Sequence, residues 1–227
     1  MKKLTIIGLA ICLAFALAAP VMAVDVDFSG DYTVKGFYTE HWDLDKDSAS
    51  NAYMDMRFRL QTVFKASDIL SVTARFDALD DHVWGTTTDG SGDPGNVDFQ
   101  RAYMTIKAPV GKFIIGRAGT GYWGTTFVDS ETDGTDCIKF IKKIDNLTLY
   151  AVYMKLQELD DSVTTTDVAD LDEDRYDLRF KYKMENTTSG LLLAFLNNKT
   201  TATQTKHTYV AMPYFVSKFG PLAIQGE

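Results

Sequence analysis

The sequence predicts an all-β protein, an antiparallel transmembrane β-barrel preceded by a signal-peptide helix. Three observations predict it. The N-terminus is an export signal, most of the remaining chain alternates apolar and polar residues with a period of two, and tight turns alternate with long polar connections.

Lys2 and Lys3 open the chain, residues 4–19 are almost purely apolar, and Val21-Met22-Ala23 places short side chains at a cleavage site. This reads as a signal peptide over 1–23, because the apolar run is short for a ~20-residue membrane span and Pro20 breaks it. The mature domain is then 24–227. Cys12 leaves with the peptide, so Cys137 remains alone and no intramolecular disulfide can form. Stability must come from strand pairing or a large core. Loss of Lys2 and Lys3 takes the formal charge from −8 to −10, which argues against a nucleic-acid partner, since phosphate recognition needs a basic footprint. No later segment approaches ~18 consecutive apolar residues, so no membrane helix is expected. A closed barrel still satisfies every backbone group in lipid.

The strands follow in order. Residues 26–41 set Phe28, Tyr32, Val34 and Tyr38 against Asp31, Thr33 and Lys35. Over 52–65, Met54, Met56, Phe58, Leu60 and Phe64 oppose Asp55, Arg57, Arg59, Gln61 and Lys65, as a strand between lipid and water requires. Residues 70–79 alternate Val72, Ala74 and Phe76 with Thr73, Arg75 and Asp77. Residues 97–108 and 112–118 flank a turn at 109–111. Residues 137–144 assign poorly to either face, and 147–157 follow the turn at 145–146. Over 174–185, Tyr176, Leu178, Phe180 and Tyr182 oppose Asp177, Arg179, Lys181 and Lys183. Residues 190–199 are apolar at both parities, 206–217 form a tenth strand, and an eleventh begins near Pro221.

Long polar segments fall at 43–51, 80–96, 118–136, 158–173 and 200–205, and tight turns between the other strand pairs. Loops at one rim and turns at the other describe an outer-membrane barrel. Ten or eleven strands with the last cut short leave the barrel open, so the chain is expected to be the N-terminal portion of a longer one. The alternative is a small complete ten-stranded barrel.

Phe99-Gln100-Arg101-Ala102-Tyr103-Met104-Thr105-Ile106 leads through Pro109-Val110-Gly111-Lys112-Phe113 to Ile115-Gly116-Arg117, and a long loop with Tyr122-Trp123-Gly124 follows. This resembles the Gram-negative general porins, and Phe28-Ser29-Gly30-Asp31-Tyr32 is similar to their first strand. The resemblance implies about 16 strands when complete, a homotrimer at full length, and a third external loop that folds inward to narrow the channel.

The polar parity carries Arg57, Arg59, Arg75, Arg101, Lys107, Arg179, Lys181 and Lys183, and Arg117 ends the fifth strand. The third loop carries Asp129, Glu131, Asp133 and Asp136. If it folds inward, carboxylates face an arginine-rich wall across water, an arrangement by which pores select solutes. Arg57, Arg59, Arg75, Arg101, Arg117, Asp129, Glu131, Asp133 and Lys181 are the expected pore lining; the plainer reading is a merely solvated strand face. Arg117 shares its parity with Phe113 and Ile115, so an inward facing needs a bulge or a turn into the loop. Basic walls favour anions and acidic loops oppose them.

The expected function is passive diffusion of small hydrophilic solutes through the outer membrane, with lipid and lipopolysaccharide as surroundings. No resident cofactor is expected. Asp43, Asp45 and Asp47 space like a calcium loop but lack its Gly and Glu, so loosely held Ca²⁺ or Mg²⁺ competes with a simply solvated acidic loop. Tyr38, Trp42, Tyr53, Phe99, Tyr103, Phe113, Tyr150 and Tyr153 fall near strand ends, where aromatic girdles sit; Tyr103 has the lumen as its alternative. The rival is a barrel enzyme of protease or lipase type, for which Asp80-Asp81-His82 offers an acid–base pair. Ser71 lies toward the other end of that strand, His41 and His82 lie near acids at external strand ends, His207 has no evident partner, and no His-Glu-x-x-His occurs. The chain is therefore not expected to be an enzyme. An exported binding or adhesion barrel is the remaining alternative.

Overall fold

The structure is a computed structural model that describes residues 24–41, 47–86, 97–125, 134–158, 172–201 and 204–227, without the side chains of 200 and 201. The signal peptide over 1–23, Trp42, Asp43, Asp45, Asp129, Glu131 and Asp133 lie outside them. The described strands are β1 (Asp25–Thr39), β2 (Asn51–Lys65), β3 (Leu70–Val83), β4 (Val97–Ala108), β5 (Gly111–Ala118), β6 (Thr135–Ile144), β7 (Leu147–Glu158), β8 (Asp172–Lys183), β9 (Thr187–Thr201), β10 (Gln204–Phe219) and β11 (Leu222–Gly226). They form one antiparallel sheet in sequence order, with β1 and β11 at its edges. β10 has 16 residues and β1, β2 and β9 have 15 each, more than the ~9–11 that cross hydrocarbon at a tilt.

The two faces have inverted polarity. On β3, Thr73, Arg75 and Asp77 are buried while Val72 is 43% exposed. On β8, Asp177 and Arg179 are buried, yet Tyr176, Leu178 and Phe180 are exposed. Register carries each row across the sheet: Asp77 opposes Arg59, Arg75 opposes Arg101, and Asp177 opposes Val152. The face with buried charges is the inner one. The outer face is a continuous apolar surface, far larger than a water-soluble chain displays, and it suits acyl chains.

Most strand limits follow the alternation, with some corrections. β3 runs to Val83 instead of stopping at 79. It does so through an irregularity in which residues 79–81 oppose Arg57 alone, and Leu79 and Asp81 take left-handed φ of 56° and 57°. Such a bulge re-aims side chains. β6 starts two residues earlier than expected, and β9 and β10 extend toward each other around 202–203.

Register also resolves the two ambiguous strands. On β6, Cys137 and Lys139 are buried on the inner face and Ile138 points outward. On β9, Leu193 pairs with outward Leu178, whereas Leu192 and Ala194 face inward and are buried beneath Trp123. Both faces of β9 are dry, so both are apolar.

Tyr153, Tyr176, Phe195 and Tyr209 form a row on the outer face of β7–β10, their successive ring centroids 5.3, 6.0 and 5.1 Å apart. Of the aromatics expected near strand ends, Tyr153 alone belongs to this row. Tyr103 and Tyr150 belong elsewhere: both pack inward against buried Cys137, Val152 and Met154. Tyr53 stacks on Phe37 at 4.9 Å.

Inverted polarity makes opposite demands on neighbours in one strand. Leu178→Arg on the outer face is expected to cost ~2–4 kcal/mol near mid-membrane, while Lys181→Glu on the inner face stays within ~0.5 kcal/mol. Guanidinium titration of the protein in lipid vesicles measures both, and equal costs would contradict the assigned faces.

Candidate functional site

The inner face divides into two unlike walls. The first spans β1–β4 and is charged. Arg59 grips Asp77 with two parallel bonds, Nε to Oδ1 at 2.7 Å and Nη2 to Oδ2 at 2.5 Å, the strong bidentate geometry of a guanidinium on a carboxylate. Asp77 is 1% exposed. The bulge in β3 brings Asp80 toward Arg57, whose Nε lies 4.0 Å away, while Arg57 Nη2 donates to Asp31 at 3.5 Å. Arg75 is buried directly opposite Arg101, with Gln61 on its other side.

Arg57 and Arg59 are thus met by carboxylates of neighbouring strands. Asp129, Glu131 and Asp133, expected to face the arginine wall from the third loop, lie outside the described residues. Arg117 is a correction. The pairing of β5 is unbroken on both sides, so no bulge flips its parity. Arg117 keeps the outward facing of Phe113 and Ile115, with Nη1 3.6 Å from Asp136 Oδ2. Lys181 does face inward, exposed, two residues beyond Arg179.

The second wall spans β5–β10 and carries an apolar patch of Leu192, Ala194 and Tyr214 beside the charged inner row of β8. Its cover is the chain leaving β5. Lys139 Nζ donates to the Gly119 carbonyl at 2.7 Å, and Arg179 Nη1 donates to that of Thr120 at 3.1 Å. Arg179 is itself aimed by Asp177, with Nη2 2.7 Å from Oδ2, and Arg175 Nε holds the other oxygen of that carboxylate at 2.8 Å. Trp123 then seats against Leu192, Ala194 and Tyr214, 4% exposed. Its Nε1 donates to the Met212 carbonyl at 3.2 Å and its ring meets Tyr214 edge-on at 5.1 Å. Thr125 donates from N and Oγ1 to Glu227 Oε2 at 3.1 and 2.9 Å.

Gly190 makes the seat: a Cβ there would fall 2.9 Å from the Trp123 ring.

Sequence reasoning missed Lys139 and Trp123 as the holders of this segment. The available signal was the inner-parity row Leu192, Ala194, Met212 and Tyr214, too apolar for a wetted wall. Of the residues weighed for catalysis, Asp80 turns toward Arg57, and His207 stacks on Phe195 with centroids 5.6 Å apart.

Comparison with protein families matches residues 8–221 to the Gram-negative porin family. No curated protein matches. Among solved structures, OmpT (in-vitro folded), an outer membrane protein of Vibrio cholerae, is similar at 14% identity with a TM-score of 0.44; the match covers 91% of this chain and 65% of that one.

Removing Asp77 strands a buried guanidinium. Asp77→Ala is expected to destabilise by ~3–5 kcal/mol, and adding Arg59→Met to recover most of that loss. A double-mutant cycle on vesicle-folded protein reads the coupling; additive losses would mean the pair is not bonded.

Proposed function

The chain belongs to the Gram-negative porin family, and from that premise we propose that it forms a water-filled channel for passive diffusion of small hydrophilic solutes across the outer membrane. The observation that carries this reading is the segment from Gly119 to Thr125, pinned across the inner wall of β6–β10. It narrows the space in front of that wall. Solutes then pass between a strip of fixed ion pairs and a covered apolar surface.

The chemistry of that passage follows from the two walls. Arg57 and Arg59 with Asp31, Asp77 and Asp80 present opposite charges side by side. Such a strip favours solutes with a dipole or hydrogen-bonding groups, which exchange water for fixed charges at little loss. Guanidinium holds its charge at every working pH. Apolar solutes gain nothing there. Outward Leu178, Leu191 and Leu193 suit contact with lipid chains and the acyl part of lipopolysaccharide.

Planar-bilayer recording tests the reading. Discrete ohmic steps are expected from the purified protein. Trp123→Ala, which empties the seat, is expected to raise the single-channel conductance, and Gly190→Val, which occupies it, to do the same. Protein that folds into bilayers and never conducts would sink the proposal. An unchanged conductance in both variants would remove the segment from the constriction.

A further inference from the structure

We propose that the bore is electrically polarised along its axis, with a lysine collar at the periplasmic mouth that gathers anions and makes the channel rectify. The proposal rests on the channel reading above and gives it a direction. Lys107, Lys112, Lys143, Lys181, Lys183 and Lys218 all lie within a few residues of the short turns, which are periplasmic in such barrels.

Register places every one on the inner face. Lys107 continues the row of Arg101 and Tyr103, and Lys112 that of Ile114. Lys143 continues the row of Cys137 and Lys139, Lys181 and Lys183 that of Asp177 and Arg179, and Lys218 that of Tyr214. Each is exposed, and among the described residues none has a carboxylate within ion-pair distance. Lys65, close by, differs: its Nζ is 2.5 Å from Asp27 and 3.3 Å from Asp25.

The collar is arranged against its own stability. Lys107 and Lys112 face each other directly across β4 and β5. Thr148 alone separates Lys143 from Lys181 across β6–β8. Like charges directly opposite on a sheet cost stability. Elsewhere on this inner face, Arg57, Arg59, Arg175 and Arg179 each sit on a carboxylate. At the collar the counter-charge is left to mobile anions.

The opposite strand ends carry the other sign. Asp55, Asp80, Asp98, Glu158, Asp172, Glu173 and Asp174 lie there, against Lys155, Lys199 and Lys206. Cations are therefore enriched at the external mouth and anions at the periplasmic one. A voltage that drives each ion inward from the mouth that enriches it fills the bore with carriers. The reverse voltage empties it. Current is larger when the external side is positive.

Single-channel recording of the whole protein in symmetrical potassium chloride tests this. At about 0.05 M, where the Debye length exceeds ~10 Å, the currents at equal and opposite voltages are expected to differ about twofold or more; at 1 M, where it falls to ~3 Å, they converge. Lys107→Gln combined with Lys181→Gln is expected to bring the low-salt ratio toward one. Should that variant fail to insert, succinic anhydride added to the short-turn side of inserted wild-type channels, which converts ammonium to carboxylate, is expected to abolish or reverse the asymmetry. Equal low-salt currents through a conducting wild-type pore, or a ratio that neither the variant nor the reagent alters, would overturn the collar alone. Complete absence of conductance overturns the channel reading with it.

Discussion

Everything in this protein depends on backbone hydrogen bonds being closed within the sheet. Each strand from β2 to β10 pairs with the strands before and after it in sequence, so its N–H and C=O groups are met by neighbours rather than by solvent. Lipid offers no partner for an unpaired amide. Once the backbone is neutralised in this way, side chains are free to follow the medium on each side. Leu178 and Phe180 point to one, Asp177 and Arg179 to the other.

The inner side is not uniform, and the reason is dryness. Over β1–β4, carboxylates on adjacent strands answer Arg57 and Arg59, as Asp77 answers Arg59. Over β6–β10 the wall meets protein. There Leu192 and Ala194 lie beneath Trp123, and two buried cations, Lys139 and Arg179, donate to main-chain carbonyls of the covering segment. Those carbonyls belong to an irregular segment with no strand partner, so the buried cations satisfy acceptors that would otherwise be stranded. One arrangement thus serves the loop and the wall together. Placing this chain among the Gram-negative porins makes the covering segment the third external connection, between β5 and β6.

Much of this was legible in the residues. Period two over 52–65, 70–79 and 174–185 marked the facing of Arg59, Arg75, Asp177 and Lys181, because strand parity is a local property that survives as long as pairing is unbroken. Arg117 shows the same rule from the other side: an inward facing required a bulge, β5 has none, and the arginine stays outward. The bulge that does occur is in β3, where the chain runs on through left-handed Leu79 and Asp81 to bring Asp80 to Arg57. Nothing in the alternation marks it, since its cause is cross-strand pairing.

The sequence alone determined the strands, their order of long and short connections, and which side of most strands is greasy. These are consequences of spacing along one chain and of the solvent each face meets. The tertiary structure decided which inner residues meet: that Trp123 lies on Gly190, that Arg179 reaches Thr120, and that Arg57 and Arg59 find carboxylates on β1 and β3. Such contacts join residues far apart in sequence across a curved surface. Their existence depends on the register and curl of the whole sheet, which no local period encodes.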